Sequence, residues 1–344
     1  MKKTILIIGI IIAVIRLHAQ QQPSKDMRGW TVLFEDDMTS LNTNLWYKDN
    51  YGTHGDGTNE EPQIYMQENV TNTNGKLILT AQKVTLSIPH PNSGSCLYGN
   101  QHQYTSGQIC SNSTYQYGYY EIYAKLPAGQ GVWPAFWFWQ NDNNPANPWY
   151  NEIDIFEGDG VLTDRLSTNL YWNFTLPLYN PYNCEKKEHF CNYSQGYHWY
   201  GIKWNKNRIM WYFDRQCVRE VFNTCGGYGI QHPLNIIINL ALRPPEWEHG
   251  ISSNTPNTCY MYVDQVNAYQ LDCSDKNVVI TLNDPINFST YNWKTKKSIT
   301  LGGSTHVPQN SNIVLYATDF VKLDKGFSVP LGTELYIDIC DECQ

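Results

Sequence analysis

Asn151-Glu152-Ile153-Asp154-Ile155-Phe156-Glu157-Gly158-Asp159 sets three carboxylic acids within six residues of an otherwise apolar run. Ile153, Ile155 and Phe156 are β-branched and aromatic types that favour a pleated, half-buried strand. The period of two in a strand puts Glu152 and Asp154 on one face and the isoleucines on the other. Glu157 follows Glu152 by five positions, so strict alternation would turn it to the wrong side. One extra residue in a β-bulge near Ile155 and Phe156 returns it to the face of the other two acids. Three converging acids repel, and burying them costs several kcal/mol unless function requires it. The bland alternative is a solvated edge strand, which would alternate its acids with Lys or Thr. No Lys or Arg stands between Tyr150 and Asp164 to pair with these acids.

Upstream lies Gly131-Val-Trp-Pro-Ala-Phe-Trp-Phe-Trp139, in which Trp133, Trp137 and Trp139 share one parity and Phe136 and Phe138 the other. One face of this strand is expected to meet the core and the other to line a cleft. Three Trp on one parity, just before the acids, suggest a sugar platform. Together the two stretches resemble glycoside hydrolase family 16, curved β-sandwiches that cleave internal β-linkages of polysaccharides. The extra residue before Glu157 resembles the bulged branch of that family, which includes laminarinases, agarases, porphyranases and kappa-carrageenases. The fold expected is therefore all-β, a concanavalin A-like jelly roll.

The 344 residues suffice for one large sandwich and a small appendage. Residues 1–19 read as a signal peptide: Met-Lys-Lys, an apolar run from Ile5 to Ile15 too short to span a bilayer, and Ala19 before the cut. Secretion is the expectation, with no membrane span after cleavage. Without Lys2, Lys3 and Arg16, 21 basic residues face 32 acidic ones, a formal charge of −11. That balance disfavours nucleic acid and anionic membranes as partners. Aromatics make up 14% of the chain, with 12 Trp and 25 Tyr, as suits a protein that stacks pyranose faces on rings. A polysaccharide is the expected partner, and a monomer the expected state. The ten cysteines fit an oxidising compartment. Their order suggests neighbours pairing: Cys96 with Cys110, Cys184 with Cys191, Cys217 with Cys225, Cys259 with Cys273, and Cys340 with Cys343.

Trp30 to Met38 resembles the family's opening strand, where many members hold a structural calcium. The resemblance implies Glu35, the Gly75 carbonyl and Asp264 as ligands, with Asp36 and Asp37 competing for the role of Glu35. No cofactor is expected for catalysis. Gly52 to Gln63 reads as a loop, and the resemblance makes Asn59 and Glu60 candidates for sugar hydroxyl contacts. Ser167 to Asn173 resembles the next cleft strand. Tyr171 stands where laminarinases commonly have His, and Tyr171 and Asn173 join Trp133 and Trp137 as substrate-binding candidates. The resemblance runs from about residue 28 to 271, giving a catalytic domain over 20–272. Beyond it, over 273–344, apolar runs recur every 15 to 20 residues. They read as a small β module, resembling the stacked-hairpin repeats that end secreted Bacteroidetes proteins.

Two carboxylates about 5 to 5.5 Å apart cleave a glycosidic bond with retention. Glu152 is the expected nucleophile and Glu157 the acid/base. Asp154 is expected to hydrogen-bond the nucleophile and to keep Glu157 protonated through like-charge coupling. A β-1,3- or mixed-linkage β-glucan is the favoured substrate. Red-algal galactans are the alternative, although sulfate recognition calls for Arg forks and only Arg165 and Arg243 fall near the expected cleft. A non-catalytic glucan-binding lectin on the same fold is the rival class.

Overall fold

The computed structural model describes residues 27–50, 61–89, 101–139, 150–174, 182–183, 186–189, 192–222, 230–282, 291–302, 305, 307–340 and 343. For strand residues 86–89, 101, 150, 172–174, 182–183 and 187–189 it describes the backbone alone. Residues 1–19, expected to be a signal peptide, and Asn59 and Glu60 lie outside the described residues. The chain divides into a large unit, Val32–Gln270, and a small one formed by Met1–Thr31 with Leu271–Gln344.

The large unit is built on two sheets. One runs in the order Gln216–Phe222, Arg208–Phe213, His198–Trp204, Gly118–Lys125, Thr258–Leu271, Lys76–Pro89, Gln101–Ser106, Gln63–Tyr65. The other runs Tyr182–Asn183, Arg165–Phe174, Tyr150–Gly158, Val132–Trp139, Leu234–Leu242, Gln108–Tyr115, Trp46–Lys48. Among the described residues the only helical element is the 3-10 turn Gln67–Asn69. The fold is the expected all-β sandwich.

Its core is one cluster in which Phe136, Phe138, Ile153, Ile155 and Phe156 of the second sheet meet Tyr120, Ile122, Tyr200, Ile202, Trp204 and Trp211 of the first. Tyr120 meets Phe138 edge to face at 4.9 Å between centroids, and Phe156 lies 4.6 Å from Tyr200. The apolar parity of the acid-bearing and Trp-bearing strands thus faces inward, and this leaves their acids and Trp side chains on the opposite face.

The small unit begins earlier than the sequence suggests, because residues at the start of the chain pack into it. Trp30 Nε1 donates to the Tyr316 hydroxyl at 3.0 Å, and the Asp272 N–H donates to the Gly29 carbonyl at 2.8 Å. Gly29 has φ +85°, and a Cβ there would stand 2.3 Å from the Trp293 carbonyl oxygen, so no other residue fits without a shift. The unit's sheet runs Val279–Leu282, Lys296–Leu301, Asn312–Leu323, Glu334–Ile339, and every pairing is parallel. Stacked hairpins would pair antiparallel, so the recurrent apolar runs are successive parallel strands over a core of Ile299, Leu301, Ile313 and Leu315.

Cysteine pairing also departs from the expectation. Cys273 is bonded to Cys343, 70 residues on, and not to Cys259, while Cys340 does not take Cys343 as its partner. Cys110, Cys217 and Cys259 carry free thiols. Cys96, Cys184, Cys191 and Cys225 lie outside the described residues. Neighbour pairing in sequence failed because Cys259 is buried within its strand, whereas the strand's exit and the chain's last turn meet in the small unit.

Candidate active site

The acids sit on the strand Tyr150–Gly158, which pairs with Val132–Trp139 on one side and Arg165–Phe174 on the other. Glu152 lies opposite Trp139 and Tyr171, Asp154 opposite Trp137 and Asn169, and Glu157 opposite Ala135 and Ser167. The register shifts after Asp154 in both ladders, which is the bulge the sequence requires at Ile155 and Phe156. Ile155 and Phe156 are both buried in the core, at 3% and 1% exposure, so two consecutive side chains point inward and Glu157 returns to the acid face.

The flanking strands extend this face. Asn235, Ile237 and Asn239 of Leu234–Leu242 lie opposite Trp139, Trp137 and Ala135, and Cys110 and Gln108 lie beyond Ile237 and Asn239. Acids, aromatics and amides therefore share one surface, a composition suited to stacking a sugar ring and bonding its hydroxyls.

Hydrogen bonds fix the side chains. Trp133 Nε1 donates to Glu157 Oε1 at 3.0 Å, and Trp137 Nε1 donates to Asn239 Oδ1 at 3.0 Å. Asn239 Nδ2 in turn donates to the Tyr65 hydroxyl at 2.8 Å, and that hydroxyl donates to Glu61 Oε2 at 3.1 Å. Gln63 donates to Glu61 as well and accepts the Leu242 N–H at 2.9 Å. Burial, then the Glu61 charge, push the Tyr65 hydroxyl up, so it stays protonated and serves as a donor. Trp133 is less a platform than expected: it is 8% exposed, and Trp247 lies 5.3 Å from its ring. Trp247 is 40% exposed and presents the open aromatic surface there. Its segment is tied down by Asp159, which accepts His249 Nδ1 at 2.8 Å and pairs with Arg243 at 3.4 Å.

Glu152 is half-buried, and its carboxyl is pushed up to about 8. Burial is the main cause, the Asp154 hydrogen bond opposes it, and the Glu157 charge adds to it. The like-charge effect seen here is that of Glu157 on Glu152, and desolvation of Glu152 outweighs it.

Of the remaining candidates, Tyr171 lies beside Glu152, and Asn173 is placed on the same strand by its backbone. Two of the three expected calcium ligands, Asp264 and Glu35, have partners in the fold. Asp264 pairs with the Lys76 ammonium, and Glu35 accepts the Tyr269 hydroxyl at 2.7 Å. A Ca²⁺ ion would have to displace a resident cation, so these residues as placed do not fit it. No group of three His, Cys, Asp or Glu side chains suited to a metal occurs among the described residues. Glu61, Gln63 and Tyr65 were missed, although their alternation runs from just after the proposed Asn59 and Glu60 into the strand Gln63–Tyr65.

The model of glycosyl hydrolases family 16 matches residues 58–261. Endo-1,3-1,4-beta-glycanase ExsH of Rhizobium meliloti (strain 1021) is 29% identical over 206 residues, covering 58% of this chain and 39% of the relative. The catalytic domain of an endo-1,3-beta-glucanase (laminarinase) from Thermotoga petrophila RKU-1 superposes with a TM-score of 0.57 at 24% identity, covering 70% of this chain and 98% of that one. An endo-acting O-glycanase of the human gut microbiota, which initiates mucin breakdown, superposes at 0.59 with 21% identity, covering 71% and 91%. The likeness to these two structures is one of fold. Taken with the bulged acid strand, the matches define the class: the chain belongs to glycosyl hydrolases family 16. It spans about two-fifths of the length of ExsH.

Proposed function

We propose that this protein is a secreted, endo-acting, retaining glycoside hydrolase that cleaves internal β-linkages of a β-1,3- or mixed-linkage β-glucan. The observation that carries the reading is the bulge that brings Glu157 onto the face of Glu152 and Asp154. In the proposed mechanism Glu152 attacks the anomeric carbon while Glu157 protonates the departing oxygen, and Glu157 then activates water to release the glycosyl group. Trp133 holds the Glu157 carboxyl, and Asp154 orients Glu152 and opposes its neutralisation. The row of Trp137, Trp139, Asn239 and Tyr171 runs across several strands of a sheet, which suits an extended polymer better than a chain end. Secretion is supported by the apolar leader and by the Cys273–Cys343 bond. No helix among the described residues is long and apolar enough to cross a membrane.

Red-algal galactans are less well supported, because both candidate sulfate-binding arginines are engaged: Arg165 with Asp164 at 3.3 Å and Arg243 with Asp159. A lectin would have no use for the full acid set. Reducing-end release from laminarin, barley glucan, lichenan, agarose, porphyran, carrageenan and gastric mucin tests the assignment. Oligosaccharides of several sizes from one of the first three are expected; release of glucose alone, or cleavage of another polymer only, contradicts it.

A further inference from the structure

The bulge is gripped from the core side by a pair of residues on the opposite sheet. Trp211, 1% exposed on the strand Arg208–Phe213, donates its indole Nε1–H to the Asp154 carbonyl at 2.8 Å. That carbonyl lies where the acid strand loses register with both neighbours. Arg219 lies opposite Trp211 on the next strand, with its guanidinium carbon 4.5 Å from the centre of the Trp211 ring. Arg219 is 7% exposed, and its Nη1 donates to the Thr168 carbonyl at 2.7 Å and to the Thr168 hydroxyl at 2.6 Å. Thr168 sits between Ser167 and Asn169, which lie opposite Glu157 and Asp154. The ladder holding Trp211 and Arg219 has its own register shift at Trp211 and Tyr212, so an irregularity in one sheet faces an irregularity in the other.

We infer that Trp211 and Arg219 are positioning residues for the acid/base, holding open the bulge that keeps Glu157 on the acid face. A bulge leaves ladder groups without strand partners, and a strand whose register slips by one residue turns every side chain over. The Trp211 N–H satisfies the Asp154 carbonyl only in the bulged form, and Arg219 holds the adjacent strand at the same level. Glu152 precedes the irregularity, so loosening the grip displaces Glu157 and spares Glu152. The proposal rests on the assignment of Glu157 as acid/base.

Trp211→Phe in the full chain keeps the ring and removes the donor; Thr168→Val removes the hydroxyl that anchors Arg219 and perturbs the core less. Each is assayed on the polymer that the panel identifies and on its dinitrophenyl oligosaccharide, whose leaving group needs no proton. Trp211→Phe is expected to lower kcat on polymer about tenfold or more with KM within twofold, while formation of the glycosyl-enzyme from the dinitrophenyl substrate stays within about threefold of wild type. Thr168→Val is expected to shift the same ratio in the same direction by less. An equal loss on both substrates, no loss on polymer, or a fall in melting temperature alone overturns the proposal. If Trp211→Phe does not fold, an unchanged ratio in Thr168→Val overturns it. Glu157→Ala serves as control: if it lacks the leaving-group dependence, the acid/base assignment itself fails, and if only the Trp211 and Thr168 variants lack it, the positioning role fails.

Discussion

Trp133 Nε1 donates to Glu157 Oε1 at 3.0 Å, so the proposed acid/base is aimed by an indole on the neighbouring strand. An N–H donor stabilises the carboxylate form over the acid. Trp133→Phe should move the acidic limb of the kcat/KM profile to higher pH, because Glu157, whose charge raises Glu152, is the first of the pair to ionise. It should also lower kcat by about tenfold, since a hydrogen bond to a charged group contributes roughly 1.5–3 kcal/mol. A pH–rate series on soluble polymer checks both.

Burial raises the Glu152 carboxyl from an unfolded value near 4.5 to about 8 in the fold. The folded protein then binds the extra proton. This contribution to stability is full below pH 4.5 and is lost as pH rises through about 8. Glu152→Gln should therefore melt close to wild type at pH 5 and several degrees higher at pH 9. The difference is on the order of 3 kcal/mol, discounted because the carboxylate is only half-buried. Melting curves of both proteins across that range test it; a gap that does not widen with pH counts against the raised value.

Asp154 opposes the rise at Glu152 through its hydrogen bond. Asp154→Ala should shift the alkaline limb of kcat/KM to higher pH, because Glu152, already the later of the two glutamates to ionise, then ionises later still. A pure loss of amplitude with both limbs in place would mean that Asp154 orients without tuning.

Tyr65 links Glu61 to Asn239, which holds the Trp137 indole. Tyr65→Phe should raise KM about fivefold for roughly 1 kcal/mol of lost hydrogen bonding, with kcat little changed. Initial rates over a range of polymer concentrations separate the two constants.

The bulge was legible in the sequence because parity is a rigid constraint: Glu157 could join Glu152 and Asp154 only if Ile155 and Phe156 both turned inward. The division between Trp and Phe on the neighbouring strand was legible for the same reason. Glu61 was one residue from a named candidate, and the alternation Glu61, Gln63, Tyr65 could have found it, had Gln63 not been assigned to a loop. The Cys273–Cys343 bond and the parallel order of the last strands depend on which distant segments meet, and apolar runs at regular spacing suit parallel and antiparallel pairing alike. Trp211 gave no signal of its role, since its partner is a backbone carbonyl 57 positions away on the other sheet.

Double displacement is tested most directly by intact-mass analysis of Glu157→Ala and Glu152→Ala, each incubated with an activated aryl oligosaccharide of the cleaved polymer. With Glu157 gone, Glu152 still attacks a substrate whose leaving group needs no proton, and no base remains to activate water. A covalent glycosyl adduct should accumulate on Glu157→Ala, and none should form on Glu152→Ala. An adduct on Glu152→Ala, or its absence on Glu157→Ala, would contradict the assignment of the two glutamates.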